Sequence, residues 1–246
     1  MMTNFILFVL FFATITTAED DIYKARSWTN EKYYPEGDMF NLKSSAILFS
    51  GGGSRSFTAS IGQLSALTEL GLIDKIGYIA GISGGSWATL TYSYAQNITD
   101  DVLLSIPFSN PEDMSMDYLK QMDDKCALKC ASSKVVVDSY THLSQGADMG
   151  HAYTDAVFDA YFKPIGLERN QFWAYTPTQV QDIIELNPSI HEKDFVLPSN
   201  RKRPFPIVGT TLVGPEKLSP FKTSNRNYSM IEITPLYIGQ IHSQNI

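Results

Sequence analysis

Between Lys43 and Asn97, short apolar runs alternate with glycine turns and with apolar positions spaced three and four apart, a pattern that predicts strands and helices in turn. Ala46 to Phe49 is an apolar run of the kind that suits a strand buried on both faces, and it enters Ser50 and three glycines. From Phe57 onward, Ile61, Leu64, Leu67 and Leu70 continue one helical stripe, and Gly71 follows where a left-handed cap would end it. Ile76 to Ala80 reads as a second strand, Gly81 to Gly85 as a turn, and Trp87 to Ala95 as a helix. Farther on, Ala152 to Phe162 and Pro177 to Leu186 carry helical patterns, and Pro204 to Val208 and Met230 to Thr234 carry strand patterns. Repeated strand, turn and helix units place the chain in the α/β class, with a central, mostly parallel sheet flanked by helices.

The beginning of the chain has a different texture. Its first eighteen residues carry no charged side chain, and Phe5 to Ile15 is almost unbroken apolar sequence ending in Thr16-Thr17-Ala18 before Glu19 and Asp20. The run is shorter than the roughly 20 residues of a membrane span and reads as a secretory signal peptide, with an uncleaved signal anchor as the alternative. The organisation expected is a signal peptide at 1–18, a lead-in at 19–42 and one catalytic-type domain at 43–246, in a protein that is secreted or held in an endomembrane or lysosomal lumen. In such a compartment Asn97-Ile98-Thr99 and Asn227-Tyr228-Ser229 are glycosylation sequons. Cys126 and Cys130, four apart, fit a local disulfide or two free thiols better than a metal site, because no further Cys or His supplies the remaining ligands.

Composition narrows the function classes. Nineteen Lys and Arg against 26 Asp and Glu give a net charge of −7, which offers no general attraction to a phosphate polymer, so nucleic acid is not expected as a partner. The sequence shows neither an acidic calcium loop nor clustered His and Cys ligands, and no metal or cofactor is proposed.

The chemistry is concentrated in the two glycine turns. Gly81-Ile82-Ser83-Gly84-Gly85 follows a strand and precedes a helix, the setting in which a G-x-S-x-G string becomes a nucleophile elbow with Ser83 as the nucleophile. The plainer alternative is a glycine turn with a helix-capping serine. Ser50-Gly51-Gly52-Gly53-Ser54-Arg55 is a second turn between strand and helix. Glycines there let backbone N–H groups converge at a helix N-terminus, so Gly52 and Gly53 are candidate oxyanion donors, joined by Gly84 beside the serine. Arg55 adds a permanent cation able to bind a phosphate or orient the loop. A nucleotide loop is disfavoured, since no Gly-Lys-Ser/Thr ending is present and Ser56 stands where a dinucleotide fingerprint wants glycine.

Leu48 to Leu70 and the string Tyr78-Ile79-Ala80-Gly81-Ile82-Ser83-Gly84-Gly85-Ser86-Trp87 resemble the catalytic domain shared by cytosolic phospholipase A2 and fungal phospholipase B (lysophospholipase), relatives of patatin. A weaker resemblance continues through Asp148 to Tyr161, Pro204 to Val208 and Ile231 to Gly239. It implies a patatin-like fold and a lipid acyl hydrolase that acts on phospholipid or lysophospholipid at a membrane surface. A Ser-Asp dyad would then act with Ser83 on the nucleophile, Gly52 and Gly53 on the oxyanion donors and Arg55 on the phosphate-binding arginine.

One departure stands out. The family carries its aspartate in a glycine turn beyond the part matching Ile231 to Gly239, and no Asp-Gly pair occurs anywhere here, so a C-terminally truncated catalytic domain is expected. Asp148, Asp155, Asp159, Asp182 and Asp194 read as helix caps or solvated charges. A Ser-His-Asp esterase drawing on His142, His151, His191 or His242 is a lesser alternative. Two readings follow: a serine lipid hydrolase inactive for want of its base, or a non-catalytic relative that binds lipid or a partner. Missing later strands would leave one sheet edge and part of its apolar face uncovered.

Overall fold

The structure, a computed structural model, describes residues 24–25, 36, 43–105, 110–131, 135–199, 203–213 and 228–240. The proposed signal peptide at 1–18, Asn227 and His242 lie outside the described residues. The chain divides into two compact units, one of residues 31–93 and 202–246 and the other of residues 1–30 and 94–201.

The first unit holds a five-stranded sheet. Strand β1 (Ala46–Phe49) leads through helix α1 (Gly53–Glu69) to β2 (Tyr78–Ile82), and helix α2 (Gly84–Tyr94) follows directly. Helix α1 buries Phe57, Ile61 and Leu64 as its periodicity requires, while Leu70, expected on the same stripe, is exposed beyond the last turn. Gly71 follows at φ 63°, in the left-handed region anticipated for it. The second strand begins at Tyr78 rather than Ile76, and it runs on through Gly81 to Ile82 because the ladder to β1 continues to Gly81.

Three later strands complete the sheet: β5 (Phe205–Val213), β6 (Tyr228–Ile233) and β7 (Ile238–Gln240), in the spatial order β1-β2-β5-β6-β7. The strands β1, β2 and β5 are parallel, but β5–β6 and β6–β7 are antiparallel, so the sheet is mixed and not mostly parallel. The reason is local for β6 and β7. They are joined by a turn too short for a parallel crossover. Thr234 knots that turn, its hydroxyl accepting from Leu236 N at 3.2 Å and Tyr237 N at 3.0 Å.

Register separates the two faces of the sheet. Phe49, Ile79 and Val208 lie on one face and are almost wholly buried. The other face carries Leu48, Ile82 and Met230, which are 75%, 50% and 56% exposed, and β1 is an edge strand among the described residues.

The second unit is mainly helical: α3 (Asp100–Leu104), α4 (Met116–Gln121), α5 (Ala127–Ala131), α6 (Val135–Ser144), α7 (Met149–Tyr161) and α8 (Pro177–Leu186), with a small parallel pair β3 (Phe172–Trp173) and β4 (Phe195–Val196). Its buried aromatic centre joins Tyr94 to Trp173, with ring centroids 4.4 Å apart, and the Tyr94 hydroxyl donates to Ala174 O at 3.3 Å. Cys126 and Cys130 are buried free thiols rather than a disulfide. The Cys130 thiol is pushed up to about 12, by burial first and the neighbouring Cys126 second.

Candidate functional site

The residues that the sequence singles out meet in the first unit. Ser83 is the only residue between the end of β2 at Ile82 and the start of α2 at Gly84, so the expected five-residue turn contracts to a single exposed serine. Its φ is 54°, a left-handed conformation that costs an L-residue about 1–2 kcal/mol. Three donors hold the Ser83 carbonyl: Ser86 N at 2.9 Å, Trp87 N at 3.2 Å and the buried Ser86 hydroxyl at 2.5 Å. The Ser83 hydroxyl itself makes no hydrogen bond to the described residues and does not cap its own helix.

The glycines around it bring backbones into contact. A Cβ on Gly81 would stand 2.4 Å from Gly85 O, and one on Gly85 would stand 2.5 Å from Phe49 O. A Cβ on Gly84 would lie 2.1 Å from Gly53 O, which seats the start of α2 directly on the start of α1. The loop 50–53 also approaches the serine from the side, since a Cβ on Gly51 would lie 3.3 Å from Ser83 Cβ and 3.9 Å from its Oγ. Within that loop Gly52 and Gly53 take φ values of 149° and 62°, and the Ser56 hydroxyl donates to Ser50 O.

Two helix N-termini therefore start side by side next to one exposed hydroxyl. The first N–H groups of each helix have no intrahelical acceptor, and each start carries the positive end of a helix dipole. Gly52, Gly53 and Gly84 are among these donors. Such an arrangement can hold developing negative charge beside an oxygen nucleophile. Arg55 is exposed and lines a cleft of about 410 Å³ with Leu48, Gly52, Ser56, Ser60 and Gln63. The sequence assigns Ser56 and Ser86 no positioning role; their signal is a hydroxyl in the first turn of a helix, within reach of the preceding loop.

Most of the aspartates and histidines weighed as partners for Ser83 are engaged locally in the second unit; His242 lies outside the described residues. Asp148 caps α7, accepting from Gly150 N and His151 N, and the hydrogen bond from the His151 ring holds its carboxyl below the ordinary value. Asp155 pairs with Arg169, and Asp159 faces His142, Lys163 and Arg169 at 3.6, 3.6 and 3.9 Å. Asp194 accepts from His191 N at 2.8 Å, and Asp182 is exposed. Among the described residues no group of three or more His, Cys, Asp or Glu side chains could hold a metal ion.

Residues 45–145 match the lysophospholipase catalytic domain family. The chain is 46% identical over 108 residues to human cytosolic phospholipase A2 delta, covering 44% of this chain and 12% of that protein. It is 52% identical over 52 residues to mouse cytosolic phospholipase A2 gamma, covering 21% of this chain and 8% of that protein. Among solved structures, human GIVD cytosolic phospholipase A2 aligns over 80% of this chain and 22% of its own, at 18% identity and a TM-score of 0.36. The matched part thus spans about an eighth or less of the curated relatives.

These relatives are cytosolic by name, which overturns the secreted or lumenal location read from the apolar run at Phe5 to Ile15. Thr99, the third residue of the sequon at Asn97, is the N-cap of α3, accepting from Val102 N. The match over 45–145 takes in both glycine turns, so that this region is similar to the lysophospholipase catalytic domain family and to cytosolic phospholipases A2.

Proposed function

We propose that the first unit is the nucleophile half of a serine lipid acyl hydrolase acting on phospholipid or lysophospholipid esters. The observation that carries this reading is the strained, exposed Ser83 at φ 54°, set against the glycine loop with its hydroxyl uncommitted. In this reading Ser83 Oγ attacks the ester carbonyl and the bond to the glyceryl oxygen breaks, leaving an acyl-serine; the serine proton ends on the departing alcohol, a lysolipid from a phospholipid or a glycerophosphodiester from a lysophospholipid. The N–H groups of Gly52, Gly53 and Gly84 stabilise the oxyanion, each donor contributing about 3–4 kcal/mol to the transition state. Arg55 meets the lipid phosphate as a permanent cation. The substrate's location brings the protein into peripheral contact with a membrane surface.

Among the described residues no general base stands beside Ser83. The aspartates considered for it cap helices, form ion pairs or stand in solvent, and a serine hydroxyl without a base is a weak nucleophile. The chain therefore binds substrate and positions Ser83 but turns over little. An acyl-chain fluorophosphonate should label it slowly at a single site, mapped by mass spectrometry to Ser83 and lost in Ser83→Ala. Labelling elsewhere, or none, removes Ser83 as nucleophile. Efficient phospholipid hydrolysis abolished by Ser83→Ala would instead show that a base is present.

A further inference from the structure

The cleft of about 410 Å³ begins at the glycine loop and runs along α1, away from Ser83, which is not among its lining residues. It shares Gly51 with the serine's surroundings, because Gly51 lines the cleft and also lies against Ser83. A lipid whose ester sits at Ser83 has two parts that could cross the loop into this space, the acyl chain and the phosphate with its headgroup. The lining chooses between them. Arg55 stands at the loop end, and Ser56, Ser60 and Gln63 follow at helical spacing on the same face of α1. Ser60 is 3% exposed and forms the floor, while Gln63 is exposed at the rim. The Ser56 hydroxyl is already held by Ser50 O, so the Ser60 hydroxyl and the Gln63 carboxamide are the groups that an alkyl chain would leave without partners, a cost that a polar headgroup avoids.

The kind of headgroup follows from what the lining offers. The Ser60 hydroxyl and the Gln63 carboxamide both donate and accept, which suits hydroxyl groups. Among the described lining residues there is no carboxylate, and Phe49 is the sole aromatic, so a quaternary ammonium finds neither a countercharge nor an aromatic cage. The rise from Arg55 to Ser60 is about 8 Å and to Gln63 about 12 Å, room for a phosphate at the arginine and a polyol beyond it.

The geometry points to a headgroup subsite that selects glycerophospholipids bearing an uncharged, hydroxylated headgroup over those bearing choline, with Ser60 and Gln63 as the specificity-determining residues. This rests on the phospholipid reading of Ser83 and its loop. It is tested by calorimetric titration of the full chain carrying Ser83→Ala, which blocks any turnover. The probes are lysophosphatidylglycerol, lysophosphatidylcholine and lysophosphatidic acid of one acyl length, used as monomers, together with glycerol 3-phosphate. Lysophosphatidylglycerol should bind roughly tenfold tighter than lysophosphatidylcholine, the equivalent of one or two added hydrogen bonds. Gln63→Leu or Ser60→Ala should erase most of that preference and leave lysophosphatidic acid unchanged. Arg55→Gln should weaken all three lysolipids.

Equal binding of the three lysolipids, or a preference that survives both cleft substitutions, overturns the subsite and leaves the phospholipid reading standing. Glycerol 3-phosphate binding as tightly as the lysolipids also overturns it, by making the cleft a site for a free phosphate ester. Failure of every lysolipid to bind brings down the subsite and the phospholipid reading together.

Discussion

Gly52 and Gly53 sit at φ 149° and 62°; a side chain on the first would meet Ser56 Cβ at 3.2 Å and its backbone N and Cα at the ordinary distances of 3.7 and 3.9 Å, and on the second open space. Gly81, Gly84 and Gly85, one turn away, have no positive φ, but a Cβ on any of them would fall within 2.5 Å of a backbone oxygen. The first turn needs glycine for conformation and the second needs it for room. In the second turn the positive φ falls on Ser83, the one polar side chain among its residues. The lesson is that one letter repeated in two neighbouring loops answers to two different physical demands, and substitution separates them.

The largest effect is expected where the demand is for room. In Gly84→Ala the new methyl would stand 2.1 Å from Gly53 O and 2.8 Å from Gly53 C and N, all backbone atoms that cannot rotate away. The two helix starts must separate, at a cost of at least about 3 kcal/mol. Urea denaturation of the purified variant reads this directly, and a Gly84→Ala chain as stable as its parent would break the distinction between the turns.

Gly52→Ala is next, costing about 2 kcal/mol, because φ 149° is close to glycine-only territory and Ser56 Cβ would be 3.2 Å away. Since Ser56 is a short side chain and not backbone, the unit should still fold, with a lowered denaturation midpoint and an unchanged slope. A loss equal to that of Gly84→Ala would mean that the first loop is as closely packed as the second.

The same contrast explains what was legible in the sequence. Strand β1 and helix α8 have the bounds that apolar runs and proline placement suggest, and the two turns are in contact as their shared chemistry implies. Strand β2 runs two residues past the expected end at Ala80, because the missing side chain of Gly81 lets α2 fold back against the strand instead of breaking it. The antiparallel pairing of β6 with β7 is hidden in the sequence because it depends on a turn at Thr234 that carries no glycine. The short helices α3 and α4 start from single caps at Thr99 and Ser115 and run only five and six residues, too few for a period to declare itself. The cleft polar groups Ser60 and Gln63 gave no signal, because a polar stripe on a helix looks like any solvated face.

Ser86→Ala removes the hydroxyl that donates to Ser83 O at 2.5 Å, but two backbone donors remain on that carbonyl. The expected loss is about 1 kcal/mol, restored by Ser86→Thr. A loss above that of Gly52→Ala would show that this hydroxyl, and not the glycine packing, keeps Ser83 in its left-handed conformation.

Ser83→Gly has the smallest effect and the opposite sign. Of the four non-glycine residues at positive φ among those described, Asn97 and Asn170 belong to a type that tolerates the left-handed region, whereas serine gains little there. Glycine at 83 relieves about 1–2 kcal/mol of that strain and gives back about 0.5–1 kcal/mol through the greater freedom of the unfolded chain. The net is a gain of about 0.5 kcal/mol, or roughly 1–2 °C in Tm for a chain of this size. Ser83→Ala keeps the φ and should leave Tm unchanged, so the difference between the two variants isolates the strain from the loss of the hydroxyl. If Ser83→Gly is the less stable of the pair, the turn prefers its side chain, and the strain assigned to position 83 belongs elsewhere in the elbow.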